Sequence, residues 1–177
     1  MLTETRAGCG IPESNLDKFS FKTVSEYCGE LVDAGNGDGS TEPRFSCNVN
    51  ITQQVEAFNL ISSLCSVMRV MPFYSAGGVA ISQDAPKTAS YIFNNANVTE
   101  LGFVYTGASL KTRHTVINVS YFDMVTQQVD VETVEADAST QAKYGLVVKN
   151  IKAFATTSRN QARRLGRWFL YNEQNAG

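Results

Sequence analysis

The stretch SRNQARRLGRWFLYNE, residues 158–173, has the pattern of a capped amphipathic helix, and the fold prediction starts from it. Thr157 or Ser158 precedes its first turn, where a hydroxyl can accept a hydrogen bond from a free backbone N–H group. At about 3.6 residues per turn, apolar side chains fall on one side of this helix and polar ones on the other. The apolar side carries Ala162, Leu165, Trp168 and Phe169, and the opposite side carries Asn160, Arg164 and Arg167. We expect the apolar side to pack on a sheet.

The arginines of this helix allow two interpretations. The first is a solvated basic face, which is the usual pattern of a surface helix. The second is that Arg164 and Arg167 pair with acidic groups on a neighbouring subunit. Arginine suits that role because its planar guanidinium group binds a carboxylate through two parallel hydrogen bonds.

Composition bounds the class of protein. The chain has 177 residues, 43% of them hydrophobic, and a net charge of −2, so no overall basic field favours nucleic acid or anionic lipid. No apolar run approaches the roughly 20 residues that a transmembrane helix needs. The first ten residues lack the pattern of a signal peptide, and the abrupt start suggests an excised piece with an added methionine.

The cysteines do not indicate a metal site. Cys9, Cys28, Cys47 and Cys65 are widely spaced, and the chain has a single histidine, so a zinc site is not expected. Cys28 and Cys65 fall on the apolar faces of predicted helices, which favours reduced thiols. The loop at 33–40, DAGNGDGS, superficially resembles a calcium loop, but glycine occupies two ligand positions and no glutamate stands at the twelfth. We therefore expect a turn there and neither a metal nor a cofactor.

The first part of the chain predicts a small α+β unit. Residues 1–16 read as a loop, and residues 17–85 form the first subdomain, which ends at the proline-containing boundary 84–87. Apolar periodicity predicts, in order, a helix from Asp17 or Ser20 to about Val32, a strand at 45–51, a helix at 52–69, and a hairpin of strands 70–74 and 79–83.

The second part, residues 86–177, changes to a β-rich pattern. Alternating apolar residues predict strands at 91–93, 101–106, 113–122, 127–135 and 146–155, with one helical turn at 138–144. We expect an antiparallel meander or partial barrel that the C-terminal helix covers. The predicted fold class is therefore α+β.

Candidate catalytic groups are sparse. His114 stands beside Arg113 on a predicted strand without an adjacent nucleophile, so a structural or surface role is favoured. Glu132, Glu135 and Asp137 cluster near a strand end. Paired carboxylates can hydrolyse a glycosidic bond, but a solvated sheet edge is the favoured interpretation. From the residues alone, we expect no enzyme.

Several short segments together resemble the tail-tip attachment protein J (host-specificity protein J) family of lambda-like phages and prophages. They occur in order along the chain: IPES at 11–14, ELVD at 30–33, EPRFSCN at 42–48, NNANV at 94–98, LKTRH at 110–114, VETVEAD at 131–137, AKYG at 142–145 and AFATTSRNQARRLGRWFL at 153–170. No single segment is decisive, but the collinear set is specific.

The resemblance implies a structural role. Members of this family form the distal hub of a phage tail as a homotrimer that contacts other tail-tip and tail-tube proteins. The chain looks like an internal hub segment, and the host receptor would be contacted only through regions absent from it. The resemblance brings no catalytic residues, and it implies a protein assembled in the bacterial cytoplasm and located at the virion tail tip.

Closed threefold assembly uses interfaces in which one patch meets a different patch on the neighbour. We hypothesise that Arg164 and Arg167 meet the acidic cluster of Glu132, Glu135 and Asp137 across such an interface. The alternative functions are a carbohydrate- or protein-binding module, which exposed Tyr91, Tyr105 or Tyr121 would favour, and a cell-wall glycan hydrolase that uses the acidic cluster.

Overall fold

Two helices and two short antiparallel sheets make up the first half of the computed structural model, which describes residues 1–6, 8–75, 77–99, 102–104 and 113–175. After a single 3-10 turn at Glu13–Asn15, the elements are α1 (Lys18–Gly29), β1 (Leu31–Asp33), β2 (Thr41–Pro43), α2 (Ala57–Met68), β3 (Val70–Ser75) and β4 (Gly78–Gln83). β1 pairs with β2, and β3 pairs with β4.

A small apolar core joins α1, α2 and the β3–β4 hairpin. Val24, Cys28 and Val70 are buried at its centre, with Cys65 and Ile81 packed against them. Asp17 caps α1, because its Oδ1 atom accepts a hydrogen bond from the Phe19 N–H at 3.2 Å. α2 ends at a residue in the left-handed region, Arg69, with φ 52°, and the chain turns directly into β3.

A three-stranded mixed sheet under a long helix makes up the second half. Its elements are β5 (Val116–Asp123), β6 (Gln128–Glu135), α3 (Ala138–Tyr144), β7 (Val148–Lys152) and α4 (Arg159–Asn175). The strand order is β6-β5-β7, with β5 antiparallel to β6 and parallel to β7. The predicted α+β class is confirmed. The all-antiparallel arrangement is wrong for β7, because α3 carries the chain across the sheet before β7 begins, and the described strands do not close into a barrel.

α4 covers one face of this sheet. Ile117 and Val134 are paired across β5 and β6, and both are buried under the helix together with Ala162 and Leu170. Gly166 lies where the helix comes closest to the strands: a Cβ atom there would stand 2.7 Å from Val134 Cγ2. The absence of a side chain at this position sets the distance between helix and sheet.

Some predicted strands differ from the structure. Residues 45–51 form no strand and α2 begins at Ala57 rather than at 52, while 91–93 is an irregular segment. A side chain of α4, described below, forms hydrogen bonds with the backbone of Ser46. Among the described residues, the alternating stretch 45–51 therefore has no neighbouring strand with which to pair. Of the predicted strand 101–106, only 102–104 is described, and it is not a strand.

The division into residues 1–16, 17–85 and 86–177 stays a prediction. β4 ends at Gln83, next to the predicted boundary, and the next described strand begins at Val116. Within the described ranges, none of the helices combines the length and the apolar composition needed to cross a bilayer.

Candidate functional site: the charged face of the last helix

The first turn of α4 is capped as the sequence indicates. The Ser158 Oγ atom accepts a hydrogen bond from the Gln161 N–H at 3.2 Å and donates to Glu42 Oε2 at 2.9 Å. The same hydroxyl therefore satisfies a free N–H group of the helix and ties the helix start to β2, where Glu42 lies.

Two arginines of α4 bind one carboxylate on the sheet. Arg159 Nε donates to Glu132 Oε2 at 2.6 Å, and Arg163 Nε donates to Glu132 Oε1 at 2.7 Å. Glu132 is only 6% exposed, so the expectation of a solvated acidic edge is wrong for this residue. Burial raises the pKa of the Glu132 carboxyl, but the hydrogen bonds and charges of the two arginines outweigh it and hold the pKa below its ordinary value.

A third arginine ties α4 to the first half of the chain. Arg164 donates from Nη1 to Glu42 Oε1 at 2.5 Å and from Nη2 to the Arg44 carbonyl at 3.0 Å. Arg164 thus has an acidic partner within its own chain. Its predicted contact with another subunit stays a prediction.

A buried glutamine clamps the loop that follows β2. The Gln161 side chain is 4% exposed. Its Oε1 atom accepts from the Ser46 N–H at 3.0 Å and from the Ser46 Oγ–H at 2.9 Å, and its Nε2 atom donates to the Ser46 carbonyl at 3.1 Å. One side-chain amide therefore replaces the pairing that a neighbouring strand would give Ser46.

The remaining predicted interface residues lie apart from this network. Arg167 is exposed on α4, and Glu135 is exposed at the end of β6. Asp137 precedes α3 and accepts hydrogen bonds from the Ser139 and Thr140 hydroxyls, which lower the pKa of its carboxyl. The structure does not bring Arg167 together with either acid, so their pairing across subunits remains a hypothesis.

The lone histidine belongs to a structural cluster at the far end of α4. Glu173 Oε2 accepts a hydrogen bond from the His114 N–H at 2.9 Å and lies 2.8 Å from His114 Nδ1, and Glu173 Oε1 accepts from Lys149 Nζ at 2.8 Å. Burial raises the pKa of the Glu173 carboxyl, but these hydrogen bonds lower the pKa by more than burial raises it and leave it below its ordinary value. The cluster fastens the end of the helix to the sheet.

The tyrosines proposed for glycan binding differ in exposure. Tyr91 is 61% exposed, whereas Tyr121 is 3% exposed under α4 and donates a hydrogen bond to Asp130 at 3.3 Å. Tyr105 lies outside the described residues. Only Tyr91 therefore remains as a described aromatic for that role.

Sequence reasoning missed several residues of the site. Glu42, Gln161 and Glu173 each hold two or more partners, but those partners lie far away in sequence; 115 residues separate Gln161 from Ser46. The only local signal was the Ser158–Gln161 spacing, which matches a helix capping box.

The cysteines and the glycine loop offer no metal site within the described ranges. All four cysteines are unpaired, and no group of three or more His, Cys, Asp or Glu side chains in the described part of the chain is placed to hold a metal ion. In the 33–40 loop, Asp33 and Asp38 instead accept hydrogen bonds from the backbone N–H groups of Gly35 and Ser40. Each aspartate stabilises a turn of its own.

The last helix is thus held by ion pairs to Glu132 and Glu42 and by the buried amide of Gln161. Comparison with known proteins shows the family: the chain belongs to the family of putative phage tail proteins, whose family model matches residues 56–176. That match extends from the start of α2 through α4, so it includes the whole three-stranded sheet and its helix.

Two curated relatives are more specific. The chain is 40% identical over 156 residues to the tip attachment protein J of Escherichia phage SECphi27, covering 88% of this chain and 13% of that protein. It is 26% identical over 172 residues to the tip attachment protein J of Escherichia phage SECphi4, covering 96% of this chain and 15% of that protein. The predicted resemblance to tip attachment protein J is confirmed. The chain spans only a small part of these relatives.

Proposed function

We propose that this chain is a structural domain of a phage or prophage tail tip that serves in tail assembly and host attachment. The observation that carries the proposal is its similarity, over 88% of its length, to the tip attachment protein J of phage SECphi27. The domain acts as a scaffold and transmits receptor engagement towards tail opening, and it works without catalysis. It is made and assembled in the bacterial cytoplasm and resides at the virion tail tip.

The arrangement of α4 supports a scaffolding role. Glu132 joins α4 to the three-stranded sheet, and Glu42 joins the same helix to β2. The helix, the three-stranded sheet and the β1–β2 pair are therefore fixed relative to one another. Charge-assisted hydrogen bonds of this kind are directional as well as strong. A domain whose elements are fixed in this way moves as a rigid unit when a neighbouring part of the tail displaces it.

The surface also supports assembly with partners. Large apolar side chains of the first half are strongly exposed: Phe19 by 84%, Tyr74 by 76% and Phe58 by 72%. Extended exposed apolar surface marks protein–protein contacts. The expected partners are copies of the same protein in a homotrimer and other tail-tip and tail-tube proteins, with the host receptor contacted through other regions.

Within that trimer, the proposed subunit contact uses the charged groups that the fold leaves at the surface. Of the two arginines predicted for the contact, Arg167 on α4 is exposed, and the exposed acids are Glu135 at the end of β6 and Asp137 just before α3. Arg164 and Glu132 belong to the same charged face, but they already have partners in their own chain. Arg167 is therefore the residue with which to test the contact.

The hydrolase alternative has little support from the acidic cluster. A general acid needs a raised pKa, whereas the pKa of Glu132 is lowered by its two arginines. The binding-module alternative rests on Tyr91 alone among the described tyrosines considered.

The proposal is tested by locating the domain in assembled tails. A peptide tag is inserted in the exposed glycine loop at residues 36–39, and tails are labelled with gold-coupled antibody and viewed by electron microscopy. We expect label at the end of the tail distal to the head. Label along the tube, or tails without label although the tagged protein is made, would contradict a tail-tip role. As a control, the same tag is inserted at Gly10, which is also exposed, to check that the antibody reaches a tag at a second site of the domain.

A further inference from the structure

An open groove is lined by the β3–β4 hairpin, by α4 and by the end of β7. Its volume is about 660 Å³, within the range of sites that enclose a bound ligand. Four consecutive residues, 151–154, line one side of it. Because side chains alternate between the two faces of a strand, this consecutive lining indicates that the groove runs along the edge of β7. The other walls are mainly apolar and aromatic, and include Phe45, Val70, Met71, Leu165, Trp168 and Phe169.

The outer edge of β7 is free to pair with another strand. Among the described strands, β7 pairs only with β5. The Ala153 N–H donates to the Ser120 carbonyl at 2.8 Å, so the main-chain groups of every second residue counted back from Ala153 point towards β5. Those of the residues between them, Val148, Asn150 and Lys152, point to the outer edge. Within the described ranges these groups have no hydrogen-bond partner, and Lys152 lines the groove.

Arg69 brings an unpaired positive charge to the groove. It is half-buried, and its guanidinium group stands over the rings of Phe45 and Trp168, 5.0 and 5.5 Å from their centroids. Three other half-buried arginines each bind a carboxylate, whereas the Arg69 side chain has no acceptor in the described part of the chain. Its Nε atom is buried, but its two terminal nitrogens keep surface exposed to solvent. A cation half removed from water gains most from an anionic partner.

The remaining charges at the groove leave this cation uncompensated. Lys152 is exposed and adds a second positive charge. Asp84 is the one acid among the lining residues; its Oδ2 atom accepts a hydrogen bond from Trp168 Nε1 at 3.0 Å, and it forms no ion pair with Arg69. Two cations and one acid thus line a mainly apolar groove, which suits an occupant that carries a carboxylate among apolar side chains.

We propose that an extended segment of another tail protein lies in this groove. Its main chain pairs with the outer edge of β7, its apolar side chains contact the aromatic walls, and a glutamate or aspartate between them binds Arg69. In strand addition of this kind, main-chain hydrogen bonds give affinity and pockets for alternate side chains give specificity. The inference rests on the assembly with other tail proteins in the proposed function, and it names the surface and the chemistry of the partner.

The groove reports its own occupancy, because Trp168 is the single tryptophan of the chain and lines it. The probes are three synthetic peptides with blocked ends. The first, TFTETVT, places phenylalanine, glutamate and valine on one face of a strand and the threonines on the other. The second, TFTQTVT, loses only the charge. The third, TTFEVTT, has the composition of the first without its alternation. Each is titrated into the 177-residue chain while Trp168 fluorescence is recorded.

We expect TFTETVT to change the fluorescence saturably and to bind about 10-fold more tightly than TFTQTVT, the effect of a charge-assisted hydrogen bond. TTFEVTT should also bind more weakly than TFTETVT. Arg69→Gln should abolish the difference between the first two peptides, whereas Arg6→Gln, at an exposed residue outside the groove, should preserve it. The absence of a saturable change, or equal affinity of the first two peptides for the unmodified chain, overturns the proposal.

A second variant leaves Arg69 in place, since that residue ends α2 and its replacement could disturb the fold. Met71→Glu puts an acid on a groove residue that is 70% exposed. It should weaken the binding of TFTETVT more than that of TFTQTVT, because only the former carries a negative charge. Val131→Glu, on β6 and 50% exposed, is the matched control. Equal weakening of both peptides by Met71→Glu overturns the placement of the carboxylate.

The pairing with β7 is tested by methylating the main-chain nitrogens of TFTETVT at alternate residues, in one phase or in the other. A strand that pairs through one edge uses the N–H groups of one phase, so at least one of the two methylated peptides should lose binding. Unchanged binding of both overturns strand addition. Failure of the peptides to bind leaves the labelling of tail tips unaffected, so the two proposals fail separately.

Discussion

Glu132 is a single residue that holds two arginines of α4, Arg159 and Arg163. Its carboxylate is buried on β6 and accepts hydrogen bonds from Arg159 and Arg163 at 2.6 and 2.7 Å. Because the arginines lower its pKa in the folded chain, the folded state is stabilised when the carboxyl is ionised. This contribution is fully present above the pKa of the unfolded chain, about 4.3, and is lost as the pH falls through the lower folded pKa.

Glu132→Gln should therefore lower the free energy of unfolding by about 1.5–3 kcal/mol at pH 7, the range of hydrogen bonds to charged groups. The difference from the wild-type chain should shrink as the pH falls below about 4.3, the unfolded value, and through the lower pKa of the folded chain, where the carboxyl becomes protonated. Urea unfolding at several pH values measures it. Glu135→Gln, exposed on the same strand, is the control and should change little. A difference that is independent of pH would contradict the assignment.

Gln161 is a second residue with an effect beyond its own helix. Gln161→Ala leaves the backbone N–H and C=O groups of Ser46 without their side-chain partner. An unpaired polar group costs about 1–3 kcal/mol when it is fully buried. Because Ser46 is half-buried, we expect a loss of about 1 kcal/mol, at the low end of this range, in thermal or urea unfolding. Asn172→Ala, exposed on the same helix, is the control. Equal stability of the two variants would show that the clamp contributes nothing.

At the scale of elements, the close approach of α4 to the sheet depends on Gly166. Alanine is the better helix former by about 1 kcal/mol, but its Cβ atom would stand 2.7 Å from Val134 Cγ2 and 3.1 Å from Val119 Cγ2. Both valines are β-branched and stiff, so they cannot easily rotate away. Steric crowding should outweigh helix propensity at this position.

Gly166→Ala should thus destabilise the chain by about 1–3 kcal/mol, the usual cost of overpacking a core. Shortening the crowding residue in Val134→Ala/Gly166→Ala should recover part of the loss, giving a favourable coupling in a double-mutant cycle. Gly29→Ala is the matched control, because a Cβ atom there meets nothing within 4 Å. Additive effects of the two substitutions would contradict direct contact between them.

Elements with a strong local pattern were predicted, and those fixed by distant partners were not. α4, β6 and the β3–β4 hairpin agree closely with their predicted bounds, because their periodicity or turn is encoded in a few neighbouring residues. The 45–51 strand was wrong because the bonds of Ser46 come from Gln161. The parallel direction of β7 depends on the path of α3, which alternation alone does not specify.

For the site, the sequence indicated which side chains carry charge, but it did not indicate which of them pair. The sequence identified Arg164, Arg167 and the acidic cluster, but α4 carries four arginines, and opposite charge alone did not assign their partners. Arg163, which had not been singled out, shares Glu132 with Arg159, and Arg164 binds Glu42. Three-dimensional placement decides which of several similar charges meet.

For the whole molecule, the subunit contact can be tested without disturbing the fold. Arg167→Glu changes an exposed side chain and should weaken trimer formation by repelling Glu135 and Asp137 of a neighbour. Light scattering across a concentration series measures the solution mass, with Arg6→Glu as a control of equal charge change. Because rim charges are screened, the effect should be larger at low salt. An unchanged mass would contradict the contact.

The clamp between Gln161 and Ser46 also sets an order of events during synthesis. The loop at Ser46 leaves the ribosome 115 residues before its partner. At about 5–20 residues per second, the loop waits about 6–23 s for α4 to be made. During that interval the α1–α2 unit stands without the helix that fastens its trailing loop, and its exposed phenylalanines are open to other nascent chains. The rate at which the ribosome translates the second half therefore governs how long this unit is vulnerable to misassembly.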